Sequence, residues 1–227
     1  MPSTADSPRP ESALEELRDD PSSRKRFLRM AGGGSAAVAL SLALAACGGK
    51  KNGGGGNQIG GAGVGTAGFG QGDVGILNYA LTLEYLEADL YRAAVATGKL
   101  SGRLLELAKR FGAEEQAHVT TLEGTVRGLG GKPASRPKPR FALASRAQIL
   151  TTISQVEDLG ASAYLGQVDR IQSKAVLSAA LAIHTVEARH AAVLGAMLGQ
   201  PVSPQGAFAR PATSVDVLQQ VQGFLSG

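Results

Sequence analysis

The sequence predicts an all-α protein: a four-helix bundle in which one long crossover joins the second and third helices. Three observations predict it. Aromatic residues make up only 4% of the chain and Trp is absent, which favours packed helices over a β-sandwich rich in aromatic and β-branched residues. Four segments carry apolar residues at alternating three- and four-residue steps, the mark of one helical face. The two halves of the chain also repeat one pattern. Glu84 is followed 31 residues later by Glu115-x-x-His118, and Glu157 is followed 30 residues later by Glu187-x-x-His190.

The first helix is expected over about 73–97, with Leu77, Leu81, Glu84, Ala88, Tyr91 and Val95 on one stripe. Gly98 closes it, and Ser101 is placed to cap the second, about 101–129, whose stripe holds Leu107, Phe111, Glu115, His118 and Leu122. Ser145 with Gln148 reads as a capping box for the third, about 145–170, which carries Leu150, Ile153, Glu157, Tyr164 and Val168 and leads to Ile171. The fourth, about 173–198, carries Val176, Ala180, Ile183, Glu187, His190, Leu194 and Met197. Short links at 98–101 and 170–173 make each half an antiparallel pair. Between the halves lie residues 130–144 with prolines at 133, 137 and 139. Fifteen extended residues reach ~50 Å, against ~38 Å for a 25-residue helix, so this link spans the bundle.

The bundle is thus expected over 73–199, and the tail 200–227 is expected to pack on it through a weak helix near 215–224. Residues 1–46 read as an export signal. A basic stretch, Arg24-Lys25-Arg26, precedes an apolar run from Ala36 to Ala46 that ends at the only cysteine, Cys47. That run is too short for a membrane span, which needs ~20 residues. It resembles a lipoprotein signal with Cys47 as the acylated residue, a resemblance that implies a lipid anchor at the cell surface or periplasmic face of a bacterial membrane. The basic stretch resembles a twin-arginine motif, but Lys25 stands where the second arginine is usual, so the general secretory route stays open. Residues 47–72 read as a tether, with 13 glycines among the 25 residues from 48 to 72. The Gly63-x-Gly65-x-x-Gly68 match inside it lacks the strand and βαβ unit that dinucleotide binding needs. Removing residues 1–46 leaves 17 basic and 13 acidic residues. No basic block is interleaved with aromatics, so nucleic acid is not expected as a partner.

Two helices that each give one Glu, with two that each give Glu-x-x-His, form the ligand set of a carboxylate-bridged dimetal site. All six residues sit on core-facing stripes. Four buried carboxylates are unfavourable without counter-charge; two divalent cations cancel their charge and leave both imidazoles neutral, as ligands must be. Glu115 and Glu187 are expected as bridges, with Glu84 and Glu157 as terminal ligands. Glu87 is the rival to Glu84 on the first helix. Glu84 is preferred because Tyr91 follows it by seven residues, as Tyr164 follows Glu157. Tyr91, Tyr164 and Glu87 are expected around the ligands, the tyrosines either as hydrogen-bond donors to carboxylates or as core packing. Glu114 reads as exposed or supporting, and so does His184. Oxygen-rich ligands with imidazole and no thiolate suit iron first and manganese next, with zinc a third choice.

On these motifs, residues 73–198 resemble the ferritin-like superfamily of dimetal-carboxylate proteins, and within it the exported bacterial ferritin-like group. The resemblance implies iron or manganese binding and reaction with dioxygen or peroxide at a metal pair. It does not select among storage, ferrous oxidation, peroxide removal and substrate oxidation. It also leaves open a stress-related structural bundle whose metal only holds the helices together. A homodimer is open too.

Overall fold

The computed structural model describes residues 66–225. The export signal, Cys47 and most of the expected tether lie outside the described residues. Five α-helices follow in order: α1 Gly72–Ala96, α2 Gly102–Gly128, α3 Arg146–Leu165, α4 Lys174–Met197 and α5 Ser214–Leu225. No strand occurs among the described residues. None of the described helices is long and apolar enough to cross a membrane.

Helix α1 packs along α2, α3 along α4, and α1 against α3. The core is continuous with this pairing. Leu83, Leu86 and Leu90 of α1 meet Leu104 of α2, Ile149 and Ile153 of α3, and Leu194 of α4. A second cluster joins Leu81 of α1 to Leu122 and Val126 of α2 and to Ile183 of α4. Five residues link α1 to α2. Gly98 adopts φ 68°, which only glycine takes at little cost, and so reverses the chain.

The crossover runs the length of α1, as its reach allowed. Near the start of α1, buried Asn78 donates from Nδ2 to the carbonyls of Phe69 (3.1 Å) and Lys132 (3.0 Å), and its Oδ1 accepts from the Ala134 amide (2.8 Å). Farther along, Arg136 pairs with Asp89 and lies 4.5 Å above the Tyr85 ring. At the far end, Lys99 donates to the Leu143 carbonyl at 3.0 Å. Helices α2 and α3 therefore begin at the same end of the bundle. The two halves are antiparallel pairs, α1 with α2 and α3 with α4.

Local details differ from the sequence expectation in two places. Ser101 holds the extended N-cap backbone of α2, yet its side chain makes no capping bond. Helix α3 ends at Leu165 rather than near Arg170, and a separate 3-10 turn, Val168–Arg170, follows. The tail explains this. Its backbone crosses so close to Gly166 that a Cβ there would lie 1.9 Å from the Ala212 carbonyl oxygen. The Ser162 carbonyl accepts both the Gly166 amide and the Ala212 amide, each at 3.0 Å. The Ser145 cap is present: its side chain accepts from the Gln148 amide at 3.1 Å. Beyond it, α5 buries Val217 and Val221 in the core, and the Phe224 ring meets Phe141 of the crossover. At the other end of the described chain, Phe69 packs edge-on against Tyr79, and Thr66 accepts from Arg170 at 3.0 Å.

Candidate metal centre

All six residues of the repeated pattern converge in the middle of the bundle. Each helix supplies its part because i and i+3 share a helical face and the apolar residues around them turn that face inward. Two groups have ligand atoms lying within 4.8 Å of one another: Glu84, Glu115, His118 and Glu187, and then Glu115, Glu157, Glu187 and His190. Glu115 and Glu187 belong to both.

The orientation of Glu115 shows how the sharing works. Its Oε2 is 2.9 Å from His118 Nδ1 and its Oε1 is 2.9 Å from His190 Nδ1. His118 Nδ1 also lies 3.2 Å from Glu84 Oε2 and 3.2 Å from Glu187 Oε1. His190 Nδ1 lies 3.2 Å from Glu157 Oε2. His118 Nδ1 is hydrogen-bonded to Glu84 and Glu115, but the other contacts are proximity without a hydrogen bond. Glu115 Oε1, Glu157 Oε2, both Glu187 oxygens and His190 Nδ1 are buried without a hydrogen-bond partner. Orphaned acceptors that share one small volume fit cations, and hard oxygen donors with two imidazoles fit iron or manganese.

The tyrosines cross between the halves. Tyr164 of α3 donates to Glu84 Oε1 of α1 at 2.5 Å, and Tyr91 of α1 donates to Glu157 Oε1 of α3. Each lone glutamate thus has one oxygen held by the other half's tyrosine and the other aimed at the cluster. Both hydroxyls are held well above the ordinary tyrosine pKa, by burial first and then by these carboxylates.

The electrostatics describe a site short of positive charge. Burial pushes the Glu84 carboxyl up to about 7, against the opposing pull of His118. Burial and the charges of Glu157, Glu115 and Glu84 hold Glu187 well above the carboxylate range. Burial opposes charging His190 as well, but its contacts with Glu115 and Glu157 prevail and raise it to about 10. His118 rises likewise, with Glu84 overcoming burial. Glu115 goes the other way: burial favours its neutral form, yet the two imidazoles bring it down to about 2.

Three neighbours complete the site. Glu87 is buried but stands outside both groups. It faces α3 at Gly160, where an added Cβ would come within 2.5 Å of Glu87 Oε1 and 3.2 Å of Glu187 Oε2. Burial and four surrounding glutamates hold its carboxyl well above the usual range. Glu114 supports the site: its Oε2 accepts from His190 Nε2 at 2.7 Å. His184 lies elsewhere, with Nδ1 at 3.0 Å from the Ala161 carbonyl. Sequence reasoning passed over Phe111 as a site residue. Its ring stacks on His190 with centroids 3.8 Å apart. Gly160 was passed over too, although a glycine one turn after Glu157 in a helix interior is a signal of close approach.

A groove of about 620 Å³ between α2 and α4 carries His118 and His190 and is edged by Arg103, Arg110 and Arg189.

A helical bundle with paired glutamates and histidines facing one another across its middle defines a class: carboxylate-rich bundles built around a candidate metal centre. The family model for the ferritin-like domain matches residues 72–200. That is more than half of the chain, and the chain belongs to the ferritin-like domain family. A comparison with curated proteins found no match.

Proposed function

We propose that this protein holds two divalent ions, iron or manganese, between Glu84, Glu115, His118, Glu157, Glu187 and His190, and that the pair is redox-active. What supports this reading most is that Glu115 and Glu187 belong to both groups of candidate ligands. Two cations would share these carboxylates as bridges, with Glu84 and Glu157 as terminal ligands. Bound there, a redox metal pair supplies electron exchange with ferrous iron, dioxygen or peroxide. The chain's own part is to orient and to shield. Tyr91 and Tyr164 hold the lone glutamates in one rotamer, Phe111 covers one face of His190, and the surrounding leucines exclude bulk water. The groove between α2 and α4 gives small molecules a way in to the two histidines.

Anaerobic loading with ferrous iron should give about two equivalents per chain, and adding oxygen or peroxide should then bring up new absorption and consume the oxidant. Uptake well below one equivalent with both iron and manganese would sink the reading. Stoichiometric metal that raises thermal stability without consuming oxidant would leave a structural role instead.

We further propose, on the apolar run ending at Cys47 alone, that the protein is exported and lipid-anchored at that residue. Cys47→Ser should shift the protein from the membrane fraction to the soluble fraction. Equal membrane association of the variant and the parent excludes the anchor.

A further inference from the structure

The repeat between the two halves of the site fails at more than one pair of positions: buried Glu87 on α1 corresponds to Gly160 on α3, and it stands outside both groups of candidate ligands. The residue before the Glu-x-x-His glutamate is Glu114 on α2 and Val186 on α4. Glu114 reaches across the bundle to His190 Nε2 at 2.7 Å. It is itself held by Arg110, whose Nε lies 3.1 Å from its other oxygen. The Val186 side chain can accept no hydrogen bond, and His118 makes its contacts through Nδ1 alone.

The carboxylates of the two groups match. Glu115 and Glu187 serve both. Glu84 and Glu157 are held alike, each by a tyrosine from the other half. Among the six candidate ligands, the imidazoles differ. His190 is held through Nε2 by Glu114, is stacked on Phe111, and has a side chain 3% exposed; that of His118 is 13% exposed.

Resting on the dimetal reading above, we infer that the two positions are inequivalent: the one served by His190 binds a cation more tightly and fills first, and Glu114 is the positioning residue that sets the difference. The hydrogen bond keeps the proton on Nε2, so the Nδ1 lone pair faces the cluster. It also makes the ring a stronger donor and spares binding the cost of ordering it. Loss of such a partner typically weakens metal affinity about 10–100-fold.

The test is anaerobic titration of the metal-free full-length chain with cobalt(II), followed by visible absorption and calorimetry. The parent should take up two equivalents in steps about tenfold or more apart. Glu114→Ala should weaken the first step by about 10–100-fold and leave the second nearly unchanged, bringing the two together. Val186→Glu should tighten the second step. His118→Ala should keep the first step, and His190→Ala should lose it. Helicity equal to the parent's, checked by circular dichroism, confines these effects to the site. Two equal steps in the parent, a first step that survives His190→Ala, or a Glu114→Ala variant with both steps unmoved would overturn the inference while leaving the dimetal reading standing. Uptake below one equivalent in the parent would overturn both.

Discussion

Glu187→Gln is expected to abolish binding of the cation pair and, at the same time, to stabilise the metal-free protein. The two effects share one cause. Glu187 belongs to both groups of candidate ligands, and both its oxygens are buried without hydrogen-bond partners. Its carboxyl is held well above the ordinary range by burial and then by Glu157, Glu115 and Glu84. An ionised Glu187 therefore costs the metal-free bundle stability at neutral pH. Glutamine keeps the shape, removes the charge and supplies amide hydrogens to the neighbouring carboxylates. Each pKa unit by which the fold disfavours the ionised carboxyl is worth about 1.36 kcal/mol, so removing the charge is expected to stabilise by about 1–4 kcal/mol. For a domain of this size that corresponds to a rise of roughly 2–15 °C in Tm. Meanwhile both cations lose a shared ligand, and affinity should fall at least about 100-fold at each position. Calorimetric titration and thermal melts in chelator at pH 8 measure the two effects together. A variant that still takes up two equivalents tightly, or that melts lower than the parent without metal, would contradict the role assigned to Glu187.

That opposition between function and stability explains why so much of the site was legible in the sequence. Burying acids among leucines is costly, so six ionisable residues recurring on four apolar stripes point to a shared counter-charge. The periodicity of those stripes located the helices within a few residues. What stayed ambiguous depended on distances between helices, which one strand of text does not contain. Glu84 and Glu87 could not be separated by burial, because α1 is buried on most of its circumference. Their different roles follow from Gly160, on another helix, making room for Glu87. Glu114 lies about 100° round the helix from Glu115, so its contact with His190 depends on how closely α4 approaches. The tyrosines sat in register with the lone glutamates of their own halves, but their hydroxyls reach the glutamates of the opposite halves. The end of α3 was misjudged because the backbone that crosses Gly166 comes from the tail.

The stabilisation that metal confers should grow as pH rises from 5 to 8, and three titrating groups give the sign. Glu84 is raised from 4.5 to about 7, burial being the first cause. Its contribution is full below pH 4.5 and is lost as pH climbs through 7. His190 is raised from 6.5 to about 10, its contacts with Glu115 and Glu157 outweighing burial. That contribution is full below pH 6.5 and is lost on the way to 10. Glu115, lowered to about 2 by the imidazoles against burial, acts in the opposite sense, but its contribution disappears only below pH 4.5. Across pH 5–8 the metal-free protein therefore loses stability, by roughly 3 kcal/mol from Glu84 alone at 1.36 kcal/mol per pKa unit. Cations need the opposite protonation state, with carboxylates ionised and imidazoles neutral, so metal binding releases protons and strengthens over the same window. At pH 5 manganese and chelator should give nearly the same Tm. At pH 8 manganese at about 100 times its Kd adds about 2.7 kcal/mol, so the two melting curves should separate clearly. Glu84→Gln should flatten the metal-free profile between pH 5 and 7. A gap between loaded and metal-free Tm that stays constant or narrows with rising pH would mean that protons and cations do not compete for these residues.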